Sequence, residues 1–299
     1  MLKRIIGWLL VLALLLPCAA TAEGDRRVYR VDEEGAMPFA EDAETFDLYV
    51  CPLMGADCMI LMTQGQTMMV DFGRNTDYGT IRGILDDLGI TKIDIAFNSH
   101  PHDDHLGSMI QLLEDYAVGV FMTAFPENYF GKSVIQISTI RALHDAEVPV
   151  QMVSDGDTFT FGDVRMTVFR MDRFDSPNLL SAMLKIEYGE CSMLLTGDVT
   201  GEAQFSMVKH HDLKADILKF PHHGLNRTAS DFMAAIDPEY AFLTHGYSNT
   251  KEAQKQLTRL GIFHDFATWG VIHLSCNGEY WLVDQALTED GQRYAEKYR

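Results

Sequence analysis

Runs of apolar residues broken by glycine and aspartate divide the chain into short strands and amphipathic helices. Residues 46–50, 58–63 and 67–70 are apolar or alternating and read as strands. Helical spacing runs through residues 78–88, where Ile81, Ile84, Leu85 and Leu88 share one face and Gly89 ends the helix. The run Ile93-Asp94-Ile95-Ala96-Phe97 follows as a buried strand. The pattern then predicts a helix over 106–116, a strand over 118–123 and a helix over 133–146. Strands at 148–153, 158–161 and 165–170 come next, separated by Asp155-Gly156 and Gly162-Asp163 turns. In the second half, 182–188 and 191–195 form a hairpin across Gly189-Glu190. A helix over 201–210, strands at 216–220 and 240–243, and a helix over 253–260 follow. Strands at 271–276 and 280–283 close the pattern, and the polar tail from Gln285 reads as a short helix. Strand blocks alternating with helices predict a layered α/β architecture, with one domain over residues 46–299 and no internal repeat.

The two ends of the pattern differ from the rest. Lys3 and Arg4, an apolar stretch over residues 5–16 and Ala20-Thr21-Ala22 before Glu23 form a secretory signal peptide over residues 1–22. The apolar stretch is short for a membrane span. The expectation is therefore a secreted or extracytoplasmic chain starting at Glu23, with no stable membrane insertion after cleavage. Residues 23–45 are acidic and aperiodic and read as a leader.

Composition narrows the partners. The 299 residues are 47% hydrophobic, enough for a substantial core, and carry a formal net charge of -19. Losing Lys3 and Arg4 with the signal peptide makes the mature surface still more acidic. Such a surface repels long polyanions and disfavours avid, non-specific nucleic-acid binding. Four cysteines lie beyond the signal peptide: Cys51, Cys58, Cys191 and Cys276. Cys51 and Cys58 flank a turn, and export permits them to pair; buried free thiols are the alternative.

The candidate chemistry sits after the buried strand, in His100-Pro101-His102-Asp103-Asp104-His105. Imidazole nitrogen and carboxylate oxygen suit borderline divalent metals. His100 and His102 can face one position while Asp104 and His105 serve another a few ångströms away. Downstream, Thr196-Gly197-Asp198 ends a strand and offers a carboxylate able to bridge two cations. Pro221-His222-His223-Gly224 ends another. One of His222 and His223 completes the second position, and the other faces substrate or supports the ligands. His144, His210 and His211 read as surface residues, and His264 and His273 as structural.

The ordered pieces Gly55-Ala56-Asp57, Met69-Val70-Asp71-Phe72-Gly73, His100 to Gly107, Leu194 to Asp198, Leu218 to Gly224 and Thr268 to Ile272 resemble the metallo-β-lactamase superfamily. Within it they are similar to the branch holding the hydrolase domain of ComEC-type competence proteins. The resemblance implies a four-layer αββα sandwich with two divalent ions, zinc or manganese, along one edge. It implies His100, His102 and Asp198 at one metal position and Asp104, His105, Asp198 and His222 at the other. Asp104 and His223 are the catalytic residues on this reading. Asp71 and Asp57 support the ligands through hydrogen bonds. Asn178 occupies the interval where many members carry a further histidine, and His245 and Asn249 are candidate substrate contacts. The implied function is an exported binuclear hydrolase that cleaves a phosphodiester or other phosphoester with a metal-bridging hydroxide. Its substrate would be a small-molecule or cell-envelope phosphoester, with a weaker case for nucleic acid. Hydrolysis of a lactam, lactone or thioester is the first alternative. A non-catalytic metal-binding cell-surface protein is the second.

Overall fold

The computed structural model describes residues 26–33, 36–40, 42–127, 133–171, 176–178 and 181–298. The expected signal peptide, residues 1–22, lies outside them, as do parts of the leader.

Strands β1 (Val28–Arg30), β2 (Phe46–Val50), β3 (Met59–Thr63), β4 (Gln66–Val70), β5 (Lys92–Asn98), β6 (Ala117–Thr123) and β7 (Val150–Met152) belong to one sheet. The second sheet holds β8 (Thr158–Phe161), β9 (Val164–Phe169), β10 (Met183–Tyr188), β11 (Cys191–Leu195), β12 (Ile217–Lys219), β13 (Tyr240–Leu243) and β14 (Phe263–Phe266). The chain then returns to the first sheet as β15 (Gly270–Cys276) and β16 (Trp281–Leu287), giving the order β1-β16-β15-β2-β3-β4-β5-β6-β7. The second sheet runs β14-β13-β12-β11-β10-β9-β8.

Three apolar clusters define the layers. Leu48, Leu61, Met68 and Val70 of the first sheet meet Val168, Leu184, Met193 and Phe242 of the second, so the inner faces form a shared core. Helices α1 (Tyr78–Asp87), α2 (Asp103–Leu106), α3 (Met109–Asp115) and α4 (Val134–Asp145) place Ile81, Leu85, Met109 and Leu143 on the outer face of the first sheet. Helices α5 (Glu202–His210), α6 (Ser230–Ile236), α7 (Lys251–Leu260) and α8 (Glu289–Tyr298) cover the second with Met207, Phe232, Leu257 and Ala295. The result is the four-layer αββα sandwich. Alternation in the strands explains it, because successive side chains feed the inner and the outer interface in turn. No described helix is long and apolar enough to cross a membrane.

The structure departs from the periodicity in particular places. The helix expected over 106–116 is broken into α2 and α3, and α2 begins inside the histidine motif. Gly107 sits at the break: its N–H reaches Gly73 O at 2.7 Å. A Cβ there would lie 2.4 to 2.6 Å from Asp103 O, Asn75 N and Arg74 Cα. The leader is not wholly irregular, since β1 pairs in parallel with β16 and buries Val28. His211 was expected at the surface but stacks on Phe169 at 4.3 Å and lies 3.1 Å from Asp155. All four cysteines are free and buried, so the described state is the thiol alternative.

Candidate metal centre

The ends of β4, β5, β11, β12 and β13 converge at one edge of the sandwich, and each delivers a polar residue there. After β4 the backbone enters the left-handed region at Asp71 (φ 58°), which turns its carboxylate under the histidine motif. Asp71 accepts from Ser99 N at 2.8 Å, Ser99 Oγ at 2.7 Å and Asn98 Nδ2 at 3.0 Å. It also takes His105 Nδ1 at 2.7 Å. That bond makes Nδ1 the donor and turns Nε2 toward Asp198 Oδ1, 3.3 Å away.

A second carboxylate–imidazole pair mirrors the first. Asp57 lies 2.9 Å from His223 Nδ1 and accepts from Thr244 Oγ1 at 2.5 Å. His223 Nε2 then stands 3.5 Å from both Asp104 Oδ2 and Asp198 Oδ2. His222 and His223 adopt consecutive left-handed conformations (φ 50° and 55°), which hold their ring centroids 6.1 Å apart. His223 is buried. His222 stays partly exposed, with Nε2 3.9 Å from Asp198 Oδ2 and 3.3 Å from Asn178 Nδ2. The sequence leaves open which of the two is the ligand; His223 Nε2 is the one beside Asp104, and His222 lies nearer the rim.

His100 and His102 occupy the other flank of Asp198. His100 Nε2 is 3.8 Å from Asp198 Oδ2 and 3.1 Å from His102 Nδ1. Asp198 therefore faces His105 through Oδ1 and His100, His222 and His223 through Oδ2. Gly197 (φ 49°) makes this approach possible, because a Cβ there would lie 2.9 Å from Ser181 and 3.1 Å from Ser99.

The electrostatics fit a cation. Burial, reinforced by neighbouring imidazolium charge, pushes the His100 pKa well below that of an ordinary histidine. Burial also lowers His102 and His222, leaving all three in the neutral, ligating form. Burial alone would lower His105 and His223 too, but the carboxylates around them win. Asp198 and Asp71 raise His105, and Asp57 and Asp198 raise His223 to about 10. Burial pushes Asp104 up, yet His223, 3.5 Å away, and the charge of His105 hold it at about 2. His105 Nε2, His223 Nε2 and Asp198 Oδ1 are buried and make no hydrogen bond. A buried polar atom without a partner is costly, and a divalent ion among these atoms would satisfy all three.

Asp57, His105, Asp198 and His223 each present a ligand atom within 4.8 Å of the others. Asp57, however, is already engaged by His223 Nδ1, Thr244 and the Lys219 ammonium. Asp104, on the Nε2 side of His223, is the better placed fourth donor. Zinc and manganese both accept this nitrogen and carboxylate set.

The other sequence candidates lie near the rim. His245 is half-buried; its ring would be 2.7 Å from a Cβ on Gly55, and Asn249 Nδ2 is 3.3 Å from its Nε2. Neither is found in a hydrogen bond or ion pair with the ligand cluster among the described residues. His144 pairs with Glu127 at 2.7 Å on the surface. Lys219, Arg74, Thr244 and Ser99 were not anticipated. Lys219 is fully buried, with Nζ against Asp57, 2.8 Å from Gly197 O and 3.7 Å from Asp198 Oδ1. Arg74 spans Met54 O, Gly55 O and Asp104 Oδ2 at 3.1, 2.5 and 3.3 Å. A lysine in the otherwise apolar run Ile217-Leu218-Lys219-Phe220 was the one available signal.

Comparison with known proteins agrees with this geometry. Residues 52–245 match the Metallo-beta-lactamase superfamily. ComE operon protein 3 of Bacillus subtilis (strain 168) is 27% identical over 165 residues, 54% of this chain and 21% of that protein. Endoribonuclease YSH1 of Gibberella zeae is 25% identical over 189 residues, 55% of this chain and 22% of that protein. The chain thus spans only about a fifth of the length of these relatives. Among solved structures, the metallo-beta-lactamase fold protein YhfI from Bacillus subtilis superposes with a TM-score of 0.53 at 12% identity, over 77% of this chain and all of that one. With strand-end ligand residues, orphaned imidazole nitrogens and these likenesses together, the chain belongs to the metallo-β-lactamase superfamily and has its fold.

Proposed function

We propose that the chain is an exported binuclear phosphodiesterase whose metals are zinc or manganese. The observation that carries the reading is Asp198, a buried carboxylate with ligand nitrogens on both flanks. His105 and His223 each approach both it and Asp104, whereas His100 approaches both it and His102. Asp104, His105, Asp198 and His223 would hold one cation. His100, His102 and Asp198 would hold the second, with His222 at the rim where Asn178 supports its Nε2. Bound divalent cations acidify a shared water and offset the charge that builds on an attacked phosphoryl group.

The chain's own residues do the rest. Asp71 and Asp57 fix the His105 and His223 rings by accepting from Nδ1, so that each Nε2 stays aimed inward. Arg74 anchors Asp104 by an ion pair and keeps its carboxylate at the mouth of the site. Asp104, ionised at neutral pH, is placed to accept a hydrogen bond from the attacking water and orient it. The acidic surface favours a small phosphodiester or short fragment over long duplex. The printed name of the YSH1 relative, an endoribonuclease, is in keeping with phosphodiester chemistry.

The test is turnover by zinc- or manganese-loaded protein of bis-p-nitrophenyl phosphate, short oligonucleotides, phosphorylcholine esters and nitrocefin. Diester cleavage without nitrocefin cleavage is the expected result. Efficient nitrocefin cleavage alone favours the lactam reading, and no turnover of either favours a binding protein. Export is tested by N-terminal sequencing of the protein from its native source, with Glu23 expected as the first residue.

A further inference from the structure

Beside the metal centre, four aromatic rings stand in a ladder. Trp269 and Tyr247 have centroids 6.4 Å apart and planes 21° from parallel; Tyr247 and Tyr298 are at 3.9 Å and 20°. Tyr298 and Tyr294 are at 6.2 Å and 13°. Trp269 is 3% exposed, Tyr298 38% and Tyr294 49%, so the ladder runs from the core to solvent. Tyr294 and Tyr298 are four residues apart on α8 and therefore share a face. The helix is held tightly under the ladder: Thr288 N donates to Trp269 O at 2.9 Å, and a Cβ on Gly291 would meet that same oxygen at 1.8 Å. Tyr298 against Tyr247, Gly291 against Trp269 O and buried Ala295 dock α8. Extension of the ladder to a half-exposed Tyr294 is not explained by burial.

These rings line a cavity of about 390 Å³ whose other wall includes Met54 and Gly246. Both wall residues are tied to the metal centre. Met54 O accepts from Arg74, whose other nitrogen reaches Asp104. Gly246 is two residues beyond Thr244, which holds Asp57, a chain distance of at most about 7 Å. The cavity wall is therefore one residue contact from Asp104 on the Met54 side and two residues from Thr244 on the Gly246 side, close enough for one ligand to reach both.

We propose that the cavity is a stacking subsite for the nucleobase of a nucleotide-containing phosphodiester. The inference rests on the phosphodiesterase reading for the substrate's other end. Nearly parallel rings suit a flat heteroaromatic ligand. A cage for a cationic head group needs rings that face one point from several sides. Here Lys297 Nζ already lies 4.9 Å from the Tyr298 centroid and would repel a second cation.

The test uses the full mature chain and intrinsic tryptophan fluorescence, with AMP, ribose 5-phosphate and choline as probes. AMP should quench saturably, and ribose 5-phosphate should bind roughly tenfold or more weakly, the effect expected of one lost stacked base. Tyr294→Ala should weaken AMP by a similar factor, and Tyr294→Phe should restore it. Equal affinity for AMP and ribose 5-phosphate, equal AMP binding by Tyr294→Ala, or displacement of AMP by choline would each overturn the subsite. In turnover, Tyr294→Ala should lower the ratio of kcat/KM for a dinucleotide to that for glycerophosphoglycerol. If neither diester is cleaved, the phosphodiesterase reading fails, while AMP binding still decides the subsite.

Discussion

Lys219→Met removes the one ammonium buried within the metal centre among the described residues. Burial pushes the Lys219 pKa down, but the Asp57 and Asp198 carboxylates outweigh it and keep the side chain charged. Its loss leaves Asp57 with His223 and Thr244 alone and removes the donor at 2.8 Å from Gly197 O. Breaking a buried ion pair from one side costs about 3–5 kcal/mol. For a domain of this size each kcal/mol moves Tm by about 2–4 °C, so chelated protein should lose roughly 6–20 °C. A cation against Asp198 offsets part of the same charge, so the loss should shrink with zinc or manganese. Asp57→Asn in the same chain removes the stranded charge, and the double variant should cost less than the two singles added. Differential scanning calorimetry with chelator and with metal reads all of these. A Tm change under about 2 °C in chelated Lys219→Met, or strict additivity with Asp57→Asn, would refute the idea that the ammonium neutralises Asp57.

Other outcomes follow from the same geometry. Asp198→Ala should lower metal content at both positions by elemental analysis, whereas His144→Ala, altering only a surface pair with Glu127, should match wild type. Gly107→Ala should cost about 1–3 kcal/mol or more in urea unfolding, because three backbone atoms stand within 2.6 Å of the new Cβ; wild-type stability would mean the Gly73 loop yields freely. His223 has its pKa raised from 6.5 to about 10, so its contribution to the chelated protein is complete below about pH 6.5 and is lost as pH rises through about 10. The urea midpoint of chelated protein should fall across that window, and a flat midpoint would contradict the Asp57–His223 pairing.

Much of this protein was written in local spacing. The strand ends carrying Asp71, His100, Asp198 and His223 could be read because an apolar run of four to seven residues closes on a polar cluster, and that signal needs no distant partner. The layered α/β class followed from the order of those runs, and the αββα sandwich from the family resemblance they carry. Other features depended on what lay across the fold. Strand β1 is three residues of an acidic segment, and only pairing with β16 makes it a strand. The break between α2 and α3 comes from the Gly73–Asn75 loop pressing on Gly107, a contact between segments more than thirty residues apart. Arg74 and Thr244 act through partners 30 and 187 residues away, so neither carries a local signature. For His222 and His223 the composition at the strand end was legible and the roles were not. Two adjacent left-handed residues send one ring inward to Asp57 and leave the other at the rim. The turn makes that choice, and the buried Asp57 carboxylate holds it by pairing with His223 Nδ1.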